Sequence, residues 1–214
     1  MPGRLRPISL SAYRLCIRGV GEAAWASYYS FEDFCEFVLP YRIEREPLEF
    51  WQEAYVRVTD GCATALCRES GCGVCRFGSE RSLTGRANWY ASSDLSFVEY
   101  GALQLLDERF GGCRELSGFN VALFRALGIP CGIDRVVQNP HRIGSHMWTF
   151  MVDTDGRKLP YLWNYYNIDR EERMEEKYGK VYRDYFSVQT TNWAVSYPDE
   201  DIPGILKNPF LRDV

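Results

Sequence analysis

Residues 111–134 read GGCRELSGFNVALFRALGIPCGID, and the fold turns on this stretch. Leu116, Phe119, Leu123 and Leu127 recur at helical spacing with Phe124 beside them, which predicts a buried helix starting near Cys113. Gly128 is placed to close it, and IPCGIDRVV then has the β-branched content of a strand. Cys113 falls in the first turn, where backbone N–H groups have no intrahelical acceptor and carry partial positive charge. Such a position stabilises a thiolate and can hold a developing oxyanion. Gly111 and Gly112 allow a substrate backbone to come close. The alternative is a buried structural cysteine at a helix start.

Downstream, HMWTFMV (146–152) reads as a strand, DTDG as a turn and KLPYLWNY as the returning strand. Of the two histidines, His141 sits in the turn-like QNPHR, whereas His146 opens a strand, a rigid mount for a general base. A third group usually orients such an imidazole. With a five-residue loop at Asp153–Arg157, Val152 faces Lys158 and, stepping outward, Asn164 faces His146. A four-residue loop puts Trp163 there instead, so both registers stay open.

Upstream, SFEDFCEFVLPYR predicts a helix capped by Ser30 and stopped by Pro40, with Phe31, Phe34, Phe37 and Val38 on one face. EPLEFWQEAYVRV predicts a second, with Leu48, Trp51 and Tyr55 on one side. A third is expected from about 95 to 109, ended by Gly111 and Gly112. IDREERMEEKYGKVYRDYF reads as a charged helix or two short ones, and the proline-bearing tail as a surface wrap. The expected organisation is an N-terminal helical lobe with a Cys-rich loop (1–84) and a core with a C-terminal extension (85–214), together one structural unit.

Cys62, Cys67, Cys72 and Cys75 stand close enough to raise a zinc site, but only the last pair has a two-residue gap, so free thiols or a local disulfide are the preferred reading and no metal or cofactor is expected. The net charge of −4 speaks against nucleic acid as partner, and no stretch has membrane-spanning length. Arg14 and Arg18 interrupt the apolar part of the N-terminus, which makes it a poor secretory signal. Aromatic residues are 15% of the chain; they fill cores but also line grooves that hold peptides or sugars.

The ordered set of the Gly-Gly-Cys helix start, the RALGIP helix end and GSHMW resembles the transglutaminase-like superfamily over roughly 94–164. FEDFCEFVLPYRIEREPLEFWQE and KYGKVYRDYF are similar to bacterial, exported, multidomain members, in which a segment like NPFLRDV leads into further β-rich domains. The resemblance implies an α+β, papain-like fold with the Cys-bearing helix on an antiparallel sheet. It implies a fragment or truncated member, an exported location, and peptide or protein substrates, cell-wall or glycan-linked ones among them. It implies cleavage or acyl transfer at amide bonds through a thioester, with Cys113 as nucleophile, His146 as base, and Gly112 and Trp148 beside the substrate. The family's Asp falls nearest Leu162, so either Asn164 substitutes or the third member is absent. The second reading is a weak or inactive module that binds peptide or glycan.

Overall fold

A computed structural model describes residues 29–58, 90–91, 100–138, 144–153, 155–161, 179–190, 196–198, 201 and 203–214, with backbone alone at 90, 91, 205 and 206. The fold is α+β, with helices packed on an antiparallel sheet. A short helix α1 (Phe31–Asp33) widens into a π segment (Phe34–Val38), and α2 (Gln52–Val58) follows. Next come β1 (Tyr90–Ala91), α3 (Ala102–Glu108), β2 (Phe110–Gly111) and the long α4 (Cys113–Ala126). Among the described residues there follow β3 (Cys131–Val136), β4 (His146–Val152), β5 (Lys158–Tyr161), β6 (Val181–Asp184), a 3-10 turn (Gly204–Lys207) and β7 (Leu211–Asp213). Strands β3 to β7 pair antiparallel in the order β5-β4-β3-β6-β7, while β1 and β2 form a separate parallel pair.

Helix α4 is buried on two sides, which explains why its apolar stripe is so broad. Val121, Phe124 and Leu127 meet Ile133 and Met151 of the sheet, and Phe124 packs edge-on against Tyr161 with ring centroids 5.0 Å apart. Phe119, Ala122, Leu123 and Ala126 meet Trp51 just before α2, Tyr55 of α2, and Leu105 and Leu106 of α3. Tyr55 is fully buried, its hydroxyl donating to the Ala102 carbonyl at 2.8 Å; burial raises its phenol well above the usual value. Gly128, at φ 74°, turns the chain from α4 into β3.

Strand alternation gives the sheet two distinct faces. Cys131, Ile133, Met147, Thr149 and Met151 face α4. Trp148, Phe150 and Val152 lie on the other face, where Phe37 of the π segment packs edge-on against Phe150 at 5.5 Å. Gly132 stands opposite Phe150 across the ladder, and a Cβ there would come within 2.8 Å of that ring, so the aromatic covers the glycine. On the same face Asp134 accepts two hydrogen bonds from Arg183, at 2.7 and 2.8 Å, and the guanidinium lies over Phe150 at 4.2 Å. Burial raises the Asp134 carboxyl despite this partner.

The β4–β5 turn has the five-residue loop. Val152 pairs with Lys158 and Thr149 with Tyr161. Asp153 builds the turn: its carboxylate accepts from the Asp155 and Arg157 N–H groups and from Arg157 Nε. Though burial works against it, these donors hold the Asp153 carboxyl below the usual range.

Several elements differ from expectation. Ser30 does cap α1, its hydroxyl accepting from Asp33 N at 3.0 Å, but the π widening rotates the face and leaves Phe31 exposed while Phe37 and Val38 bury. Helix α2 starts only at Gln52, so Leu48 is exposed while Trp51 and Tyr55 are buried. Helix α3 is ended not by Gly111 and Gly112 but by Arg109, which adopts the left-handed conformation at φ 49°. Residues 181–184, taken as helical from their charge, are strand β6 with Tyr182 buried. The tail ends in β7 on the sheet edge rather than as a wrap, because Leu211 is buried beside β6.

Candidate functional site

Gly111, Gly112 and Cys113 form the turn from β2 into α4. Gly111 adopts φ 143°, and a Cβ there would lie 2.5 Å from the Glu115 Cβ. Gly112 is the N-cap, with its N–H donating to the Glu115 carboxylate at 2.8 Å. Glu115 is buried and lies in the first turn, where the helix dipole favours negative charge. Leu116 is the first residue to bond back along the helix, to the Gly112 carbonyl at 3.1 Å. The N–H groups of Cys113, Arg114 and Glu115 therefore precede the intrahelical ladder. Cys113 is a free, half-buried thiol at the first residue of α4.

His146 is the first residue of β4, paired with Val136 of β3 and half-buried, its ring 6.0 Å from that of the buried Trp148. The Thr149 hydroxyl reaches the Ser117 carbonyl at 3.4 Å, one turn beyond Cys113, and Met147 shares a cleft with Arg114 and Gly118. The first turn of α4 and the start of β4 thus lie at the same end of the sheet. By alternation, however, it is Met147 and Thr149 that face α4, while His146 falls on the side of Trp148 and Phe150. Asn164, Leu162 and His141 lie outside the described residues, as do Cys62, Cys67, Cys72 and Cys75. Among the described residues no group of three His, Cys, Asp or Glu is gathered to hold a metal, and no helix is long and apolar enough to cross a membrane.

A cleft next to the first turn of α4 is lined by Ile43, Tyr100, Leu105, Ile133 and Met147, with Arg114 and the carboxylates of Glu44, Glu46 and Glu115 as its charged groups. Glu44 bridges two guanidinium groups: Arg114 Nη2 meets one carboxylate oxygen and Arg135 Nη2 the other at 3.0 Å. Although burial opposes it, Arg135 and Arg114 keep the Glu44 carboxyl below its usual value. Arg135 also meets Asp184, whose carboxyl burial pushes up to about 6 against the pull of that arginine. Helix α4 holds the 37–42 segment through buried Arg125, which donates to the carbonyls of Phe37 at 3.1 Å, Pro40 at 3.0 Å and Arg42 at 3.3 Å. Cys131 is wholly buried, and burial pushes its thiol up to about 12, so it is a core residue.

Sequence reasoning missed Arg114, Glu44, Arg135 and Asp184. Only Arg114 carried a signal, its place next to Cys113; Glu44 meets it across 70 positions of chain.

No family model matches the chain, and no curated protein matches it. A search of solved structures finds the crystal structure of a protein provisionally assigned as a cysteine protease, from Cytophaga hutchinsonii. The similarity has a TM-score of 0.40 at 16% identity and covers 72% of this chain. The chain spans 47% of that protein's length.

Proposed function

We propose that this is a transglutaminase-like domain acting on peptide or isopeptide amides through a thioester on Cys113. The observation that carries the proposal is the half-buried thiol at the first residue of a 14-residue helix, beside a cleft and behind a glycine turn fixed by Glu115. In the reading, the Cys113 thiolate attacks the amide carbonyl carbon, and first-turn N–H groups receive the oxyanion. The C–N bond breaks and the amine leaves with a proton from His146. Water or a second amine then attacks the thioester, giving up its proton to His146 and releasing Cys113. Gly112 and Trp148 flank the substrate, and Asn164 is the orienter of His146.

A specific observation favours the second reading, a module that binds peptide or glycan without turnover: His146 lies on the side of β4 away from α4. One experiment separates the two. Alkylation of each cysteine by iodoacetamide at neutral pH is followed by peptide mass mapping in wild type, Cys113→Ala and His146→Ala. The catalytic reading expects Cys113 to label fastest in wild type and about tenfold or more slower in His146→Ala, in line with the rate effects of positioned bases. Equal Cys113 rates in both proteins would sink the pair and leave the binding module.

A further inference from the structure

We infer that Arg114, in the cleft by the first turn of α4, and Arg135, behind its wall, form a carboxylate-binding subsite that Glu44 occupies in the free protein. The inference rests on the proposed amide chemistry for its purpose, but not for its test. Each oxygen of the Glu44 carboxylate meets a different guanidinium, Arg114 on one side and Arg135 at 3.0 Å on the other. Two arginines converging on the two oxygens of one carboxylate is how proteins recognise a carboxylate ligand. Arg135 also keeps a buried Nε with no acceptor, a spare donor in the subsite.

Glu44 has the marks of an exchangeable occupant. It belongs to a loop outside any helix or strand, and that loop is closed without it. The Glu46 carboxylate accepts from Ile43 N at 2.6 Å and Glu44 N at 2.8 Å, while Arg42 Nε donates to the Glu46 carbonyl at 2.8 Å. Asp184, the other carboxylate on Arg135, is fixed in β6 between β3 and β7; like Arg135 it lies behind the cleft wall rather than in its lining. The Arg114 side chain is 38% exposed, so a ligand can reach it from solvent. Glu46 and Glu115 also line the cleft but are held by backbone N–H groups, so a ligand carboxylate enters by replacing Glu44 on the two arginines rather than by adding to it. The lining of Ile43, Leu105, Ile133 and Met147 next to these charged groups suits an aliphatic segment attached to that carboxylate. The substrate class is therefore a peptide with a free carboxylate, from a chain end or an acidic side chain, a few bonds from the amide that meets Cys113.

The test is a calorimetric titration of glutarate, with uncharged glutaramide as control, into wild type, Glu44→Gln and Arg114→Gln, each checked for folding by circular dichroism. Glutarate is expected to bind wild type, to bind Glu44→Gln about tenfold tighter because the internal competitor is gone, and not to bind Arg114→Gln. Binding that survives unchanged in Arg114→Gln overturns the subsite, as does absence of binding in both wild type and Glu44→Gln. Should Glu44→Gln not fold, wild type against Arg114→Gln decides alone. None of these titrations requires Cys113 to be reactive, so failure of the thiol chemistry is read separately. Saturating glutarate should also slow Cys113 alkylation in wild type; an unchanged rate overturns the placement beside the thiol.

Discussion

Replacing Arg125 by Met tests how the segment before α2 is held against the core. The guanidinium is buried and donates to the Phe37 and Pro40 carbonyls at 3.1 and 3.0 Å, with longer contacts to Arg42 at 3.3 Å and Cys131 at 3.5 Å. Hydrogen bonds from a charged donor contribute about 1.5–3 kcal/mol each, so the two short ones carry roughly 3–6 kcal/mol. Met fills similar space and removes the cost of a buried charge, which returns part of that sum, but it leaves the carbonyls of 37 and 40 without their donor. The expected net loss is about 3 kcal/mol, or a urea midpoint lower by roughly 1.5 M at an m-value near 2 kcal/mol/M. Arg125→Lys should not restore it, because one ammonium cannot span carbonyls that a planar fork reaches together. Urea unfolding followed by tryptophan fluorescence reads the midpoint, and hydrogen exchange reads the amides of 37–43. A midpoint shift under about 0.5 M, or exchange unchanged in that segment, would refute the idea that this one side chain holds the segment.

Gly111→Ala should destabilise by about 2 kcal/mol or more, since φ 143° and a Cβ only 2.5 Å from that of Glu115 oppose any side chain. It should also slow Cys113 alkylation by displacing the turn; thermal melts and labelling rates check both. Asp184 sets a pH dependence. Burial raises its folded pKa to about 6 from the ordinary carboxylate value of 3.8, so its contribution to stability is full below 3.8 and is lost as pH rises through 6. Wild type should therefore lose on the order of 2–3 kcal/mol relative to Asp184→Asn between about pH 4 and 7, following 1.36 kcal/mol per unit; parallel stability curves for the two proteins would reject the assignment.

How much of this was legible in the sequence varies by element, for physical reasons. Helix α4 and strands β3 and β4 were readable because their apolar periods are long and end in unambiguous breakers such as Gly128. The five-residue β4–β5 loop was one of two open registers. Asp153 selects it by accepting from two N–H groups of its own turn, a local bond that composition alone does not rank. Strand β6 was misread because its charged residues face partners on β3: Arg183 bonds Asp134 and Asp184 bonds Arg135, so charge there marks pairing rather than a solvated helix face. Cys113 could be placed at a helix start from the glycines before it. Which side of β4 His146 takes could not be read, because it depends on which strand face α4 covers, and HMWTFMV is apolar on both. The Glu44 bridge had no sequence signal, being a contact made only by the tertiary fold.

Cys131 gives the molecule an internal clock. Its sulfur is wholly enclosed between β3 and the middle of α4, touching the Val121 carbonyl at 3.6 Å, whereas Cys113 is half-open at the first residue of that helix. A thiol reagent reaches the second in the native ensemble and the first only when α4 leaves the sheet. The ratio of the two modification rates, taken from a single tube, therefore reports the free energy of opening under native buffer. It would do so without added denaturant for Arg125→Met and Asp184→Asn, neither of which alters the surroundings of Cys113.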